Sequence, residues 1–458
     1  MARIFSQRVT WRMLVLVASE AVLIVAAVLT AVWLYAGGEL SGVELAKAAV
    51  IAAVSQACLY YADLYNFRVL AERREVFLRL LQALGSAALV LALLYYWFPA
   101  LVIGRGVFLL VAAFVILAVG GWRAVCEWVT GRIGYRERLL LVGTSAATVA
   151  LAKELHDRRE LGVNIVGFID PDPARVGAPV FNPGVLGTVD DIPRIIRTHG
   201  VDRVVVSLAD ARGRLPMDRL LEMKLDGVAF DHLASVYEEY TGKIAVENLR
   251  PSWLIFSEGF RKGRLVGSVK RAMDVVVAAI GLVLSLPLMG VIAVAIRLTS
   301  PGPVLFRQAR VGRGGRVFTL YKFRSMREDA EAETGAVWAR EDDERVTPVG
   351  RILRRMRLDE LPQFWNVLRG DMSLVGPRPE RPEFVKELTR RIPFYGQRHT
   401  VKPGLTGWAQ VRYRYGSSVD DALEKLQYDL FYIKNLSIAL DLFILFKTVQ
   451  IVVLRRGT

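Results

Sequence analysis

Two adjacent carboxylates, Asp359 and Glu360, lie in the most basic part of the chain. One of two neighbouring carboxylates can attack a phosphorus atom as a nucleophile while the other holds Mg²⁺ against a diphosphate. Guanidinium forks and ammonium groups are suited to bind phosphate oxygens. Basic side chains in the same part of the sequence include Lys322, Arg324, Arg354, Arg357 and Arg378. The combination predicts a site for a phosphorylated substrate, in which nearby cations lower both carboxyl pKa values and keep both groups ionised.

Taken singly, these motifs have simpler interpretations. Residues 351–357 are rich in arginine and could form a basic face on a membrane surface. Asp359 and Glu360 could stabilise the dipole of a helix that begins there, and the sequence at residues 377–379 could be a rigid turn. The motifs occur together behind predicted membrane segments, which favours the phosphate site. His399 is the only histidine in this part of the chain, so base catalysis by histidine has weak support.

The composition indicates a membrane protein of several domains. The chain has 458 residues, 53% of them hydrophobic, and a mean hydropathy of +0.33. This apolar fraction lies above the roughly 45–50% of soluble domains and excludes a disordered or collagen-like chain. Cys58 and Cys126 provide neither a disulfide framework nor a metal-ligand spacing. Most of the net charge of +15 lies in residues 262–458. With membrane segments nearby, this charge suits anionic lipid or a phosphorylated substrate, and we expect no nucleic-acid partner.

Four apolar stretches in residues 1–135 predict a four-helix transmembrane bundle. They are Met13–Gly38, Val43–Leu64, Leu80–Gly104 and Gly106–Trp122, and about 20 apolar residues suffice for a helix to cross a bilayer. Arginines cluster before the first stretch, between the second and third, and after the fourth. The positive-inside rule therefore places the N-terminus and everything after residue 123 in the cytoplasm.

Residues 136–257 alternate between strand and helix patterns and predict a Rossmann-like middle domain. The strand that ends at Gly143 leads into a helix, as the strand of a nucleotide-binding turn does. The G-x-G-x-x-G pattern of such turns is incomplete, because Ser145 and Thr148 occupy the later glycine positions. A regulatory or dimerisation role is therefore favoured over a nucleotide site, and we expect the chain to form a homodimer.

A further apolar segment, Val275–Ile296, is uncharged and has Pro287 near its centre. Basic residues flank it at both ends, which argues against a crossing because one set would face the wrong side. Proline removes a helix hydrogen bond and lets the chain bend. We therefore predict a re-entrant helix–break–helix over residues 270–297, with a kinked span as the alternative. The stretch Leu436–Leu454 predicts an amphipathic helix, either interfacial or packed on the domain.

Four long motifs in residues 268–458 resemble those of one family. They are Tyr321-Lys-Phe-Arg-Ser-Met326, Leu358-Asp-Glu-Leu-Pro-Gln363, Gly370-Asp-Met-Ser-Leu-Val-Gly-Pro-Arg-Pro379 and Lys402-Pro-Gly-Leu-Thr-Gly-Trp-Ala-Gln410. The region is similar to the bacterial sugar transferase family, the monotopic polyprenyl-phosphate phosphoglycosyl transferases. The complete chain resembles the large members of that family. The implied fold is membrane α plus α/β. It comprises a four-helix transmembrane bundle, a Rossmann-like middle domain and, at residues 258–458, a mostly α catalytic domain that includes a re-entrant membrane helix.

The resemblance implies roles for individual residues. Asp359 matches the nucleophile of an Asp-Glu dyad, and Glu360 matches its Mg²⁺ ligand. Lys322 and Arg324 match positions near the phosphates, and Pro377, Arg378 and Pro379 match a motif that holds the uridine nucleotide. Arg354, Arg357 and Asp371 complete the predicted substrate-binding set, and Ser285 and Pro287 match the re-entrant turn. The sequence departs from the family pattern after Gln410, so either Arg412 or Arg414 takes the place of a substrate-binding arginine.

The activity that the resemblance implies is transfer of a phosphosugar from a UDP-sugar to polyprenyl phosphate at the bacterial inner membrane. Asp359 would first take the phosphosugar and release UMP, while Mg²⁺ and the arginines neutralise charge. The polyprenyl phosphate, lying along the re-entrant helix, would then attack the aspartyl phosphosugar. Direct attack by the lipid phosphate is the mechanistic alternative. The product would be the first lipid-linked sugar of an exopolysaccharide or another surface glycan.

Two other classes of protein fit parts of the sequence. Membrane-bound nucleotide-sugar dehydratases also join four helices to a Rossmann domain and retain NAD. They need a glycine-rich turn and a Tyr-x-x-x-Lys pair, and no tyrosine in this chain precedes a lysine by four residues. A non-catalytic membrane scaffold would not need an intact Asp359-Glu360 pair with its arginines. Both classes are therefore less favoured than the transferase.

Overall fold

The structure is a computed structural model of the 458-residue chain. It describes residues 3–4, 7–8, 11–36, 42–62, 64–65, 73–103, 107–132, 137–157, 162–207, 217–246, 259–260, 263–328, 330, 343–413, 416 and 418–453. The chain divides into two compact units, Met1–Val236 and Tyr237–Thr458. The division falls inside one helix, Leu233–Thr241, and the predicted domain ranges 1–135, 136–257 and 258–458 stay predictions.

Long helices account for most of residues 11–132 in the first unit. They are α1 (Trp11–Ala36), α2 (Gly42–Tyr61), α3 (Arg73–Trp97) and α4 (Phe108–Arg132). A short hairpin of β1 (Arg3–Ile4) and β2 (Gln7–Arg8) precedes them, and a 3₁₀ turn at Pro99–Leu101 follows α3. Stretches of α1, α2 and α3 are long and apolar enough to cross a membrane, whereas α4 contributes a shorter apolar stretch, Leu110–Cys126. All four predicted N-terminal helices are therefore present.

A buried ion pair joins α1 to α4. Glu20 of α1 is fully buried, and its Oε1 lies 2.6 Å from Nε of Arg123 on α4. Tyr65 donates a hydrogen bond to the same carboxylate at 2.6 Å, and Arg123 donates to the carbonyl of Leu64 at 2.7 Å. A charge in apolar surroundings is costly unless it is paired. The pair therefore fixes how α1 packs against α4 and against the chain that follows α2.

The first unit also contains a five-stranded parallel sheet with the order β5–β4–β3–β6–β7. Its strands are β3 (Glu137–Val142), β4 (Val163–Ile169), β5 (Val185–Gly187), β6 (Arg203–Val206) and β7 (Ala229–His232). Its helices are α5 (Ala146–Asp157), α6 (Ile192–His199), α7 (Met217–Leu225) and α8 (Leu233–Thr241), with 3₁₀ turns at Pro173–Arg175 and Val189–Asp191. The last four residues of β3 are buried in succession, which is typical of a central parallel strand. The predicted Rossmann-like arrangement is confirmed.

The longest helix of the second unit is α9 (Arg264–Thr299), which is also long and apolar enough to cross a membrane. Both of its ends are anchored on the rest of the unit. Near the N-terminus, Arg271 donates to two carbonyl groups at the end of a neighbouring helix, at 2.7 Å each. Near the C-terminus, Ile292 and Ile296 are buried in a cluster with Phe323. One domain therefore contacts α9 close to both of its ends.

The middle of α9 is apolar and exposed. Val283, Leu284, Leu286 and Val291 are each more than half exposed. Residues on both sides of Pro287 are helical, so the structure shows one helix where the sequence predicted two helices with a break between them. The re-entrant path itself stays a prediction.

Short elements around α9 complete the described part of the second unit. The strands are β8 (Leu305–Val311) paired antiparallel with β9 (Val317–Phe323), and β10 (Ser373–Val375) paired parallel with β11 (Gly404–Thr406). The helices are α10 (Pro348–Arg355), α11 (Gln363–Arg369), α12 (Pro382–Arg391), α13 (Trp408–Arg412), α14 (Val419–Lys434) and α15 (Ile438–Val453), with 3₁₀ turns at Arg313–Gly315, Leu358–Glu360 and Tyr395–Thr400. The predicted mostly α character of this region is confirmed.

One face of the C-terminal helix α15 is packed on the domain. Asp441 is fully buried, and its carboxylate accepts hydrogen bonds from Lys270 at 2.6 Å and from Tyr432 at 2.7 Å. Leu442 and Val449, on α15, are about half exposed. Of the two predicted settings for this helix, the packed one therefore holds for the face that carries Asp441.

Candidate active site

The carboxylate pair lies in a tight turn between α10 and α11. Asp359 and Glu360 belong to the 3₁₀ turn Leu358–Glu360, which follows Arg357 in the left-handed region with φ of 55°. Positive φ is uncommon for a residue with a side chain and is often found at functional sites. Leu361 packs with the turn against the apolar cluster of the domain. Each carboxylate residue is consequently only 8% exposed.

Two cations hold the carboxylate of Glu360. Its Oε1 accepts a hydrogen bond from Nη2 of Arg378 at 2.9 Å and lies 3.4 Å from Nζ of Lys322. Burial alone would raise the pKa of Glu360, but Arg378, Lys322 and Arg357 together hold it well below its usual range. Burial also lowers the pKa of Lys322, although Glu360 opposes this shift. The surrounding cations therefore favour the ionised form of Glu360.

The carboxylate of Asp359 differs from that of its neighbour in having no hydrogen bond or ion pair with any described residue. Burial and the adjacent charge of Glu360 raise its pKa above the usual range, although Lys322, Arg354 and Arg378 act in the opposite direction. The prediction that cations lower both pKa values thus holds for Glu360 and is wrong for Asp359, because desolvation and a like charge outweigh the cations. One carboxylate is paired, and the other is available for chemistry.

An asparagine on α11 fixes Lys322 beside the pair. Asn366 is fully buried; its Nδ2 donates to the carbonyl of Thr319 at 2.7 Å, and its Oδ1 accepts from the amide of Tyr321 at 3.1 Å. The side chain thereby pairs with β9 as a further strand would, next to Lys322. Asn366 could not be predicted from the sequence, since its spacing from β9 carries no signal.

The Pro377–Pro379 segment is held by its backbone. The carbonyl of Pro377 accepts from the amide of Gly404 at 2.9 Å, that of Arg378 accepts from Arg398 at 3.0 Å, and that of Pro379 accepts from Arg310 at 2.9 Å. A Cβ on the preceding Gly376 would collide with the carbonyl oxygen of Lys402, so glycine is required there. The segment is thus the rigid turn of the simpler interpretation, and it also aims Arg378 at Glu360.

The other predicted substrate-binding residues differ in whether they lie near the Asp359–Glu360 pair. Arg354 donates to Ser325 Oγ at 2.9 Å and also lowers the pKa of Asp359. The remaining side chains have other partners: Arg324 donates to Ser300 at 2.7 and 2.9 Å, Asp371 lies 3.6 Å from Arg369, and Arg412 lies 4.5 Å from the centre of the Trp408 ring. No hydrogen bond or ion pair joins Arg324 or Asp371 to the Asp359–Glu360 pair in the described structure. Arg414 lies outside the described residues.

Comparison with known proteins identifies the family. The family model described as bacterial sugar transferase matches residues 265–455, and one described as a CoA-binding domain matches residues 61–216. The UDP-glucose:undecaprenyl-phosphate glucose-1-phosphate transferase of Escherichia coli (strain K12) is 36% identical over 328 residues, which cover 69% of this chain and 68% of the relative. The chain belongs to the bacterial sugar transferase family.

Two further relatives of this chain differ in the sugar that their names specify. The UDP-N-acetylgalactosamine-undecaprenyl-phosphate N-acetylgalactosaminephosphotransferase of Aeromonas hydrophila is 44% identical over 250 residues, or 54% of this chain and 58% of the relative. A UDP-glucose:undecaprenyl-phosphate glucose-1-phosphate transferase of Xanthomonas campestris pv. campestris is 36% identical over 323 residues, or 68% and 66%. The chain thus spans less than two thirds of the length of these two relatives. The family resemblance of the sequence is confirmed.

The donor atoms at the pair fit the way in which proteins bind Mg²⁺ next to phosphates. Mg²⁺ commonly takes one or two carboxylates and completes its shell with waters and substrate phosphates. Oε1 of Glu360 is occupied by Arg378 and Lys322, but its Oε2 accepts no hydrogen bond from the described residues. No group of three or more His, Cys, Asp or Glu that could hold a metal occurs among the described residues. A Mg²⁺ site at this pair would therefore rely on Glu360 and on substrate oxygens.

Proposed function

We propose that the chain transfers a phosphosugar from a UDP-sugar to polyprenyl phosphate and releases UMP, as the initiating step of exopolysaccharide or other surface glycan synthesis. The observation that carries the proposal is the division of roles between the two buried carboxylates. Glu360 is paired with Arg378 and Lys322, whereas the carboxylate of Asp359 has no hydrogen-bond or ion-pair partner among the described residues. The names of the three relatives, which specify UDP-sugars and undecaprenyl phosphate, support the substrate classes.

In the proposed mechanism, Asp359 attacks the phosphorus that bears the sugar. An oxygen–phosphorus bond forms on Asp359, the bond that joins the two phosphates of the donor breaks, and UMP leaves with the electron pair. A phosphate oxygen of the lipid then attacks the same phosphorus, which forms a diphosphate and releases the carboxylate. Arg378 and Lys322 stabilise the charge on the phosphoryl oxygens. Mg²⁺, held by Glu360 when bound, would supply further charge neutralisation.

The identity of the released nucleotide tests this proposal. Detergent-purified chain is incubated with Mg²⁺, polyprenyl phosphate and either UDP-glucose or UDP-N-acetylgalactosamine. We expect UMP with at least one donor, since a phosphosugar is transferred. Release of UDP would mean that only the sugar moves, and the role of Asp359 would have to be abandoned. No release with any of a wider panel of UDP-sugars would favour the scaffold alternative.

The raised pKa of Asp359 predicts the acid side of the pH profile. The carboxyl group must be ionised to attack, so activity is lost as the pH falls through its pKa, which burial and Glu360 place above the usual aspartate value of about 3.9. Arg354→Gln removes a cation that lowers this pKa, so the acid limb of kcat/KM should move to higher pH. Arg391→Gln, at an exposed pair on α12, should leave it in place. A wild-type limb at or below the usual aspartate value would contradict the assignment.

We also propose that α9 enters and leaves the membrane on the cytoplasmic side. Contacts of one domain with Arg271 near one end and with Ile296 near the other support this path, because a domain in water does not contact both ends of a straight span. The exposed apolar middle of the helix would then lie in the bilayer. Ser285 donates to the carbonyl of Leu282 at 3.1 Å, next to the proline at which a helix bends most easily.

Replacing Pro287 by alanine should make α9 behave more like a span, because it restores a helix hydrogen bond at the bend. The measurement is labelling of Ala309→Cys, in a chain without Cys58 and Cys126, by a reagent that does not cross membranes. We expect labelling of intact cells only in the proline variant. Val291→Ala serves as the control on the same helix. Labelling from outside without the proline change would contradict the re-entrant path.

We propose that the chain resides in the bacterial inner membrane with the Rossmann-like region and the catalytic region in the cytoplasm, since the arginine distribution follows the positive-inside rule. We further propose a homodimer in which the Rossmann-like region has a regulatory or pairing role. Partners would be the UDP-sugar, the polyprenyl phosphate and the membrane, and not nucleic acid.

A further inference from the structure

A buried charged network lies behind the Pro377–Pro379 segment. Arg398 is 5% exposed and Asp429 is 2% exposed. Nε and Nη2 of Arg398 donate to Oδ2 of Asp429 at 3.1 and 2.8 Å, and Nη1 donates to the hydroxyl of Tyr395 at 2.6 Å. Nη2 also donates to the carbonyl of Arg378 at 3.0 Å. Each nitrogen of this guanidinium therefore has a partner, and one partner is the backbone that carries Arg378.

Stability alone does not account for a charged pair at this depth. Removing two charges from water costs free energy that their attraction barely offsets, and replacing such a pair by apolar side chains of similar size is often neutral or stabilising. Burial raises the pKa of Asp429 to about 6 in spite of the adjacent Arg398, which agrees with a large desolvation cost. A positioning role is the remaining benefit that the geometry offers.

We propose that Arg398, held by Asp429 and Tyr395, is a positioning residue for Arg378. Arg398 fixes the carbonyl of Arg378 from one side, while Arg310 fixes the next carbonyl. Proline residues on both sides of Arg378 supply no amide hydrogen, so carbonyl contacts hold this segment. With its backbone fixed, the Arg378 side chain reaches Oε1 of Glu360 at 2.9 Å. The proposal rests on the proposed function, in which Arg378 stabilises the transferred phosphoryl group.

The test replaces the pair by apolar side chains of similar size, Arg398→Met with Asp429→Leu. Because the buried charges leave together, the melting temperature should stay at or above that of the wild type. The kcat of UMP release should nevertheless fall by about 10- to 100-fold, since a misplaced catalytic group is costly. Arg391→Met with Glu387→Leu is the matched control, because that pair is exposed on α12 at 2.9 Å; its kcat should be unchanged.

A double-mutant cycle separates positioning from a general structural effect. In an Arg378→Ala background, the same apolar replacement should change kcat by less than about twofold, because the group that Arg398 positions is gone. The proposal would be overturned if the apolar replacement lowers kcat by the same factor in the Arg378→Ala background as in the wild type. A wild-type kcat in the apolar variant would also overturn it. If the apolar variant does not fold, Arg398→Lys, which keeps the charge and loses the fork, is carried through the same cycle.

Failure of the proposed function is recognised separately. If the wild-type chain releases UDP or no nucleotide, the transfer mechanism is wrong, but the positioning of Arg378 is still measurable through the Kd of the full chain for a UDP-sugar. The positioning role would be supported if the binding free-energy changes of the Arg398/Asp429 replacement and of Arg378→Ala, obtained from Kd, do not add up in the combined variant. Additive changes in Kd would overturn it.

Discussion

Phosphosugar transfer should fall by at least about 10³-fold when Asp359 is replaced by asparagine, because an amide oxygen cannot attack phosphorus as a carboxylate does. The side chain keeps its size, and Asp359 has no hydrogen bond or ion pair with the described residues. Burial disfavours its charged form, as the raised pKa shows. The melting temperature of the variant should therefore equal or exceed that of the wild type. The measurement is initial-rate UMP release at saturating donor and lipid.

Asp420→Asn is the matched control, since Asp420 is an exposed aspartate in the first turn of α14. It should retain the wild-type rate. Transfer by a folded Asp359→Asn chain at more than about a tenth of the wild-type rate would remove Asp359 from the reaction, because loss of a nucleophile has a far larger effect.

Replacing Arg378 by alanine is expected to lower kcat by about 10²- to 10³-fold, the effect of removing one preorganised donor from a charged transition state. The substitution also leaves Glu360 with Lys322, at 3.4 Å, as its one remaining cation contact among the described residues. Arg378 lowers the pKa of Asp359 as well as that of Glu360. As the pH falls, the remaining activity should therefore be lost at a higher pH than in the wild type.

Arg378→Lys distinguishes charge from geometry at this position. Lysine keeps the charge but lacks the planar fork, so its rate should lie between those of the wild type and Arg378→Ala. Arg391→Ala, which removes an exposed arginine that pairs with Glu387, should have no effect. A kcat of Arg378→Ala within about threefold of the wild type would show that Arg378 does not contribute a preorganised donor.

The elements that follow a regular pattern of apolar residues could be predicted from the sequence. The length of the apolar stretches indicated α1 to α4, and the alternation of strand and helix patterns indicated the Rossmann-like region. The dyad and Arg378 stood out because they lie in long motifs. Arg324 lies in the same motif as Lys322 but donates to Ser300 at the end of α9. It follows the last residue of β9, Phe323, so the alternation of side chains along the strand does not determine its direction. A motif alone did not say which of the two faces the dyad.

Burial decided the features that the sequence could not supply. The sign of the pKa shift at Asp359 depends on how deeply the turn is buried, and the sequence showed only the cations. Asn366 forms hydrogen bonds with the backbone of a strand about 45 residues away in the sequence. Arg398 and Asp429 are of residue types that are usually solvated, so their burial as a pair was not expected. Such pairings depend on tertiary packing, so no local pattern could indicate them.

The claim that Asp359 carries the phosphosugar is tested most directly by leaving out the lipid. The purified chain is incubated with Mg²⁺ and the active UDP-sugar, without polyprenyl phosphate, and its mass is then measured intact and after digestion. We expect a gain of one phosphosugar per chain on the peptide that contains Asp359, with UMP released in equal amount and no gain in the Asp359→Asn variant. An unmodified chain that releases UMP only when polyprenyl phosphate is present would contradict the covalent mechanism and establish direct attack by the lipid.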